Sequence, residues 1–130
     1  MTADDLTAAL QACAAGLYPL EAGTALLIAN GTFLHRGDFT SRFIETGISI
    51  SDGTTLMAAI DWDAAIAALH AGELPCSGGE RRVLELSASL SGGIPVDLRD
   101  AVTSLDDGNI ARLVTAILHA SGKRPESSGY

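Results

Sequence analysis

Residues 61–122 read DWDAAIAALHAGELPCSGGERRVLELSASLSGGIPVDLRDAVTSLDDGNIARLVTAILHASG and predict four successive helices. Each predicted helix follows an aspartate or a serine, whose side-chain oxygen accepts hydrogen bonds from the free N–H groups of a helix start. These capping residues are Asp61, Ser77, Asp97 and Asp106. Glycines after the apolar runs supply stops. The predicted helices span residues 62–71, 78–91, 97–105 and 107–121.

The first 46 residues predict three further helices. One begins after Thr2 or Asp4 and ends at Gly16, with an apolar face formed by Leu6, Leu10, Cys13 and Leu17. A second begins at Pro19 and stops at Asn30-Gly31, although this dipeptide also fits a hairpin turn. Asp38 is expected to cap a short third helix over residues 38–46, which carries Phe39, Phe43 and Ile44.

Residues 46–60 interrupt the helical pattern. Ile48 and Ile50 alternate with small residues, and the turn-forming sequence Ser51-Asp52-Gly53 follows them. This pattern predicts the single β-hairpin of the chain, and a loop is the alternative. The predicted fold is therefore mainly α, a single compact domain of six or seven short helices over residues 1–122. A polar C-terminal tail is expected at residues 123–130.

Composition limits the class of protein. The 130 residues are 47% hydrophobic with a mean hydropathy of +0.26, which predicts one folded domain. Aromatic residues make up only 5%, so the core is expected to be aliphatic. Only two cysteines are present, the N-terminus is acidic, and no apolar run is long enough to span a bilayer. These features predict a cytoplasmic protein, and the excess of arginine over lysine is typical of GC-rich bacteria.

The net charge of −8 argues against nucleic acid and membranes as direct ligands. Three helices followed by a hairpin have the order of a winged helix, the DNA-binding alternative. However, residues 1–60 contain six acidic and only two basic residues, whereas a DNA-binding face is normally basic. The acidic surface suits solubility or a basic partner.

The segment from Pro75 to Arg82 is the strongest candidate for chemistry. Cys76 and Arg82 are separated by five residues, with glycines between them, and this spacing resembles the phosphate loop of cysteine-dependent phosphatases. The resemblance implies a nucleophilic thiolate and an arginine that binds phosphate. It covers only this segment, lacks a preceding hydrophobic strand, and has Val83 where a hydroxyl residue is usual. We therefore favour a capping box formed by Ser77 and Glu80.

The remaining candidates are weaker. His35 and Asp38 lie in one polar loop and are candidates for part of an acid–base site. The sequence shows no third residue that would complete such a site. None of the three histidines has a second ligand at metal spacing, so neither a metal nor a cofactor is predicted. Asp61 and Asp63 flank Trp62, and capping explains these carboxylates. Trp62 is the best anchor for the core or for a protein interface.

These observations favour a small cytoplasmic, non-enzymatic interaction or regulatory module that acts through a protein surface. The partner is expected to be another protein or a second copy of the chain. One alternative is a small enzyme that uses Cys76 or the loop of His35 and Asp38. Another is an acidic inhibitor or nucleic-acid mimic that binds a basic partner.

Overall fold

The computed structural model describes residues 1–123, so the predicted tail lies outside the described residues except for Lys123. Within this range the chain forms one mainly helical domain with one antiparallel β-hairpin, which confirms the predicted fold class. The seven helices are α1 (Ala3–Ala14), α2 (Tyr18–Asn30), α3 (Gly37–Phe43), α4 (Trp62–His70), α5 (Gly78–Gly92), α6 (Leu98–Thr103) and α7 (Asp107–Ala120). A 3₁₀ turn spans Phe33–His35, and the strands are β1 (Ile44–Ile48) and β2 (Leu56–Ile60).

The predicted capping residues begin four of the helices. The backbone N–H of Ala64 donates to Asp61, that of Asp100 to Asp97, and that of Asn109 to Asp106, at 2.8–3.1 Å. Ser77 and Glu80 form a reciprocal capping box at the start of α5. The helices after residue 60 therefore begin and end within two residues of their predicted bounds.

The end of α2 also matches the prediction. Gly31 has φ of 82°, a left-handed conformation that a residue with a side chain rarely adopts, and its N–H donates to the Leu27 carbonyl. The dipeptide Asn30-Gly31 is therefore a helix stop, and the hairpin-turn alternative is wrong.

The third helix differs from its prediction in two ways. It ends at Phe43 instead of residue 46, because Ile44 already pairs with Ile60 in the hairpin, which begins two residues earlier than predicted. Asp38 does not cap it. Arg36 occupies the cap position, but its side chain forms no capping hydrogen bond with the helix backbone. Its guanidinium instead donates to the Asp38 carboxylate.

Helices α2 and α5 form the centre of the domain. They cross at Gly23, where an added Cβ would lie 2.6 Å from the Ser87 carbonyl oxygen and 1.9 Å from the Ser91 hydroxyl oxygen. Only glycine permits this separation of the two helices. The hydroxyl groups of Ser87 and Ser91 are buried at the crossing, and neither finds a hydrogen-bond partner among residues 1–123.

Buried apolar side chains form three clusters around these two helices. The first joins α2, the 3₁₀ turn, α3, α4 and α5, and it contains the aromatic residues Phe33, Phe39, Phe43 and Trp62. The second lies between α2, α5, α6 and α7 and is aliphatic. The third packs α1 against the hairpin and the 3₁₀ turn. Helix α5 contributes Leu84 to the first cluster and Val83 and Leu86 to the second, so it is central.

Candidate functional site

Cys76 lies directly before α5 and is half-buried. Burial raises the pKa of its thiol, and the Glu80 carboxylate raises it further, whereas Arg36 and Arg81 lower it. A thiol whose pKa is raised is a poor nucleophile at neutral pH, because the thiolate is the reactive form. This environment differs from that of an activated cysteine.

Arg82 belongs to an ion-pair network that joins three helices. Its guanidinium contacts Glu85 at 2.8 Å and Asp100 on α6 at 2.5 Å. Glu85 also contacts His70 on α4 at 3.2 Å. Burial raises the pKa of the Glu85 carboxyl, but hydrogen bonds from Arg82 and His70 outweigh this effect and lower it overall. Arg82 is thus occupied by carboxylates in the position where the phosphatase resemblance requires a phosphate.

The loop of His35 and Asp38 is organised by Arg36. The Arg36 guanidinium binds both carboxylate oxygens of Asp38, at 3.0 and 2.6 Å, and donates to the Pro75 carbonyl at 2.6 Å. This bond lowers the pKa of Asp38. The exposed His35 ring is not part of this arrangement. The fold thus brings the two candidate segments together through Arg36, a residue that the sequence did not single out as functional.

Trp62 lies in the first core cluster with 9% of its surface exposed. Its burial agrees with the core alternative and leaves only a small part of the ring available to a partner. Ile94 and the backbone of Gly92 lie near this ring, so Trp62 joins the start of α4 to the end of α5.

A contact between Glu21 and His119 connects α2 to α7. The Glu21 carboxylate lies 2.7 Å from the His119 imidazole and also accepts the Gly16 N–H at 2.7 Å. The Tyr18 ring meets the His119 ring edge-on, with 6.2 Å between the centroids. No partner for His119 is predicted from the sequence. Its partner is 98 positions away, so no local spacing signals the pair.

The Glu21–His119 pair lies at the junction of two surface concavities. The α2–α7 groove, about 290 Å³, lies between α2 and α7 and is lined by Ala25, Leu26, Ala29, Ala111, Arg112, Thr115, Ala116 and His119. A second concavity of about 210 Å³ lies between the end of α1 and α2 and includes Glu21. Ala25 and His119 line both, so the two concavities adjoin.

The opposite side of α7 carries an apolar surface. We define the α6–α7 face by Leu98, Val102, Leu105, Ile110, Val114 and Ile117. Ile110, Val114 and Ile117 have the spacing i, i+4, i+7 and lie along one side of α7, whereas Leu105 follows the end of α6 at Thr103. Leu98, Val114 and Ile117 are 54%, 51% and 47% exposed, and the other three are half-buried. Val102 and Leu105 pack against the second core cluster, to which α7 contributes Leu113 and Ala116.

Within residues 1–123, no three His, Cys, Asp or Glu side chains are grouped so that they would hold a metal ion. None of the helices in this range combines the length and apolar character needed to cross a membrane.

Comparison of the chain with protein-family models, curated proteins and solved structures finds no match.

Proposed function

We propose that this protein is a non-enzymatic interaction module that self-associates through the α6–α7 face. The observation that carries the proposal is the exposure of Val114 and Ile117, which lie on one side of α7 with about half of each side chain exposed. Large aliphatic side chains grouped on one surface are typical of protein interfaces. A single exposed apolar side chain does not have this meaning by itself.

The covering of α7 supports this proposal. The helix rests on α2 through its buried side, which includes Leu113 and Ala116, and the stripe of Ile110, Val114 and Ile117 has little cover. A helix of 14 residues is about 21 Å long, which provides a seam for a second helix. Burying the two exposed side chains would contribute about 1–2 kcal/mol each.

A second copy of the chain fits the charges of α7. Asp106 and Asp107 lie at the N-terminal end of the helix, and Lys123 follows its C-terminal end. In an antiparallel pair related by a twofold axis, the acidic end of each α7 lies next to the basic end of the other. The helix dipoles also oppose each other favourably in this arrangement.

The alternative functions have less support. An enzyme based on Cys76 requires a reactive thiolate, yet burial and Glu80 raise the pKa of this thiol. The loop of His35 and Asp38 directs its carboxylate to Arg36. The second candidate function is an acidic inhibitor that binds a basic protein, because the net charge of this chain is −8.

We propose that the module is cytoplasmic. Its two cysteines are free, which agrees with a reducing compartment.

Sedimentation velocity over a range of concentrations tests the proposal. We expect the wild-type protein to form a dimer at tens of micromolar, because a small apolar interface gives a modest affinity. Val114→Glu and Ile117→Glu each place a charge in the interface and are expected to give monomers. Both side chains are exposed, so the fold should survive, as circular dichroism would show.

Ile48→Glu is the matched control. Ile48 is also 54% exposed, but it lies in the hairpin, outside the α6–α7 face. The control should dimerise like the wild type. A wild-type protein that stays monomeric at these concentrations, or a dimer that Ile48→Glu disrupts and Val114→Glu leaves intact, would contradict the proposal and favour a heterologous partner.

A further inference from the structure

The α2–α7 groove combines an apolar wall with polar groups from one side of α7. Ala25 and Ala29 of α2 form the wall opposite α7. Arg112, Thr115 and His119 have the spacing i, i+3, i+7, so they line the groove together and face away from the α6–α7 face. Small-molecule sites typically have this composition, in which an apolar surface is combined with a few convergent polar groups.

Arg112 differs from the paired arginines of this protein. Arg36, Arg42 and Arg82 each contact a carboxylate within 3 Å. Arg112 donates only to the Asn109 amide oxygen, at 2.9 Å, and no carboxylate among residues 1–123 pairs with it. Its guanidinium, which is exposed and lines the groove, therefore offers an anion several unused N–H donors. The Thr115 hydroxyl, one helical turn away, is a further donor.

The Glu21–His119 pair lies at the end of the groove that adjoins the second concavity. Glu21 lines the second concavity, whereas the lining of the groove itself contains His119 but not Glu21. Arg112 carries the only guanidinium or ammonium group in the described lining of the groove, so a negative head group belongs there, and an apolar tail belongs along Ala25 toward the second concavity.

We propose that the α2–α7 groove binds an aliphatic monocarboxylate, with the carboxylate on Arg112 and the alkyl chain along the alanine wall. The groove volume of about 290 Å³ suits a short chain, and the adjoining concavity of about 210 Å³ allows a longer one. This site is independent of the proposed self-association, because it lies on the other side of α7.

The test is a titration with octanoate, followed by two-dimensional ¹H–¹⁵N NMR below the concentration at which octanoate forms micelles. We expect saturable shifts confined to α2 and α7. Octan-1-ol, which lacks the charge, should bind at least about tenfold more weakly, since a charge-assisted hydrogen bond is lost. Acetate, which lacks the alkyl chain, should give no saturable shifts.

Two variants test the two halves of the site, and each has a matched control. Arg112→Gln should weaken octanoate binding at least about tenfold, whereas Arg99→Gln, an exposed arginine on α6, should not. Ala25→Leu should block the groove, whereas Ala8→Leu, an exposed alanine on α1, should leave binding unchanged. All four positions are exposed, so the variants should fold, and their spectra would show this directly.

The proposal is overturned if octanoate gives no saturable shifts, or if the shifts lie outside α2 and α7. Equal affinities for octanoate and octan-1-ol would also overturn it, because they would reduce the groove to an unspecific apolar surface. The proposal is also overturned if Arg112→Gln binds octanoate with the same affinity as Arg99→Gln. The same conclusion follows if Ala25→Leu binds octanoate with the same affinity as Ala8→Leu.

Discussion

Gly23 determines how closely the two central helices of this protein approach each other. The atom nearest to an added Cβ is the Ser91 hydroxyl oxygen, which a rotation of the side chain could move away. The Ser87 carbonyl oxygen at 2.6 Å belongs to the backbone of α5 and has no such freedom. Any side chain at position 23 must therefore push α2 and α5 apart, and both core clusters of α5 depend on that distance.

We predict that Gly23→Ala lowers the free energy of unfolding by about 1–3 kcal/mol, the usual cost of overpacking a well-packed core. The higher helix propensity of alanine offsets about 1 kcal/mol at most. Gly79→Ala is the control, since Gly79 lies in the first turn of α5 and an added Cβ meets only Asn109, at 3.9 Å. Urea denaturation measures both variants. Equal stability of the two variants would show that the helices separate at no cost.

At the scale of the element, the capping box of α5 explains the Cys76 segment without chemistry. The Ser77 hydroxyl accepts the Glu80 N–H at 3.1 Å, and the Glu80 carboxylate accepts the Ser77 N–H at 2.8 Å. The Thr32 hydroxyl also donates to Glu80, at 3.0 Å. The hydrogen bond from the Ser77 backbone, followed by the one from Thr32, lowers the pKa of Glu80. The cap therefore also links the residue before the 3₁₀ turn to the start of α5.

Ser77→Ala is expected to destabilise the protein by about 1 kcal/mol, because it removes the acceptor of the Glu80 N–H. Ser51→Ala, an exposed serine in the hairpin turn, should leave the melting temperature nearly unchanged. Thermal denaturation followed by circular dichroism compares the two variants with the wild type. A loss of stability in Ser51→Ala as large as that in Ser77→Ala would remove the specific role of the cap.

At the scale of the whole molecule, the negative charge is spread over the chain, and several positive groups are neutralised where they stand. Arg36 pairs with Asp38, Arg42 with Glu73 at 2.8 Å, and Arg82 with two carboxylates. The paired arginines are thus less available to a phosphate backbone. The helices and the hairpin follow the order of a winged helix, but the net charge of −8 does not favour binding to DNA.

We therefore predict that the protein does not bind duplex DNA, since the electrostatic term that provides non-specific affinity is repulsive at a net charge of −8. Fluorescence anisotropy with a short labelled duplex at low salt should show no binding at tens of micromolar protein. Micromolar binding that weakens steeply with added salt would contradict the prediction, and it would indicate that Arg81 and Arg99 act together on one surface.

The sequence alone was sufficient for those features that depend on neighbouring residues. A capping bond joins residues three positions apart, as in Asp61 to Ala64 or Ser77 to Glu80, so residue type and spacing suffice to predict it. A left-handed glycine such as Gly31 is likewise a local signal. Helix number, helix bounds after residue 60 and the existence of a hairpin were predictable for this reason. The role of Asp38 was not, because Arg36, two residues away, competes for its carboxylate.

Which distant side chains meet depends on how the elements pack together. Glu21 and His119 are 98 positions apart, and Arg36 reaches the Pro75 carbonyl across 39 positions. The packing of the helices also determines how much of each side chain is exposed. Trp62 is buried in the core, whereas about half of Val114 is exposed. The spacing of apolar residues predicts that a helix has an apolar face. It does not predict which other helix covers that face. The candidate surfaces of this protein are the faces that packing left uncovered.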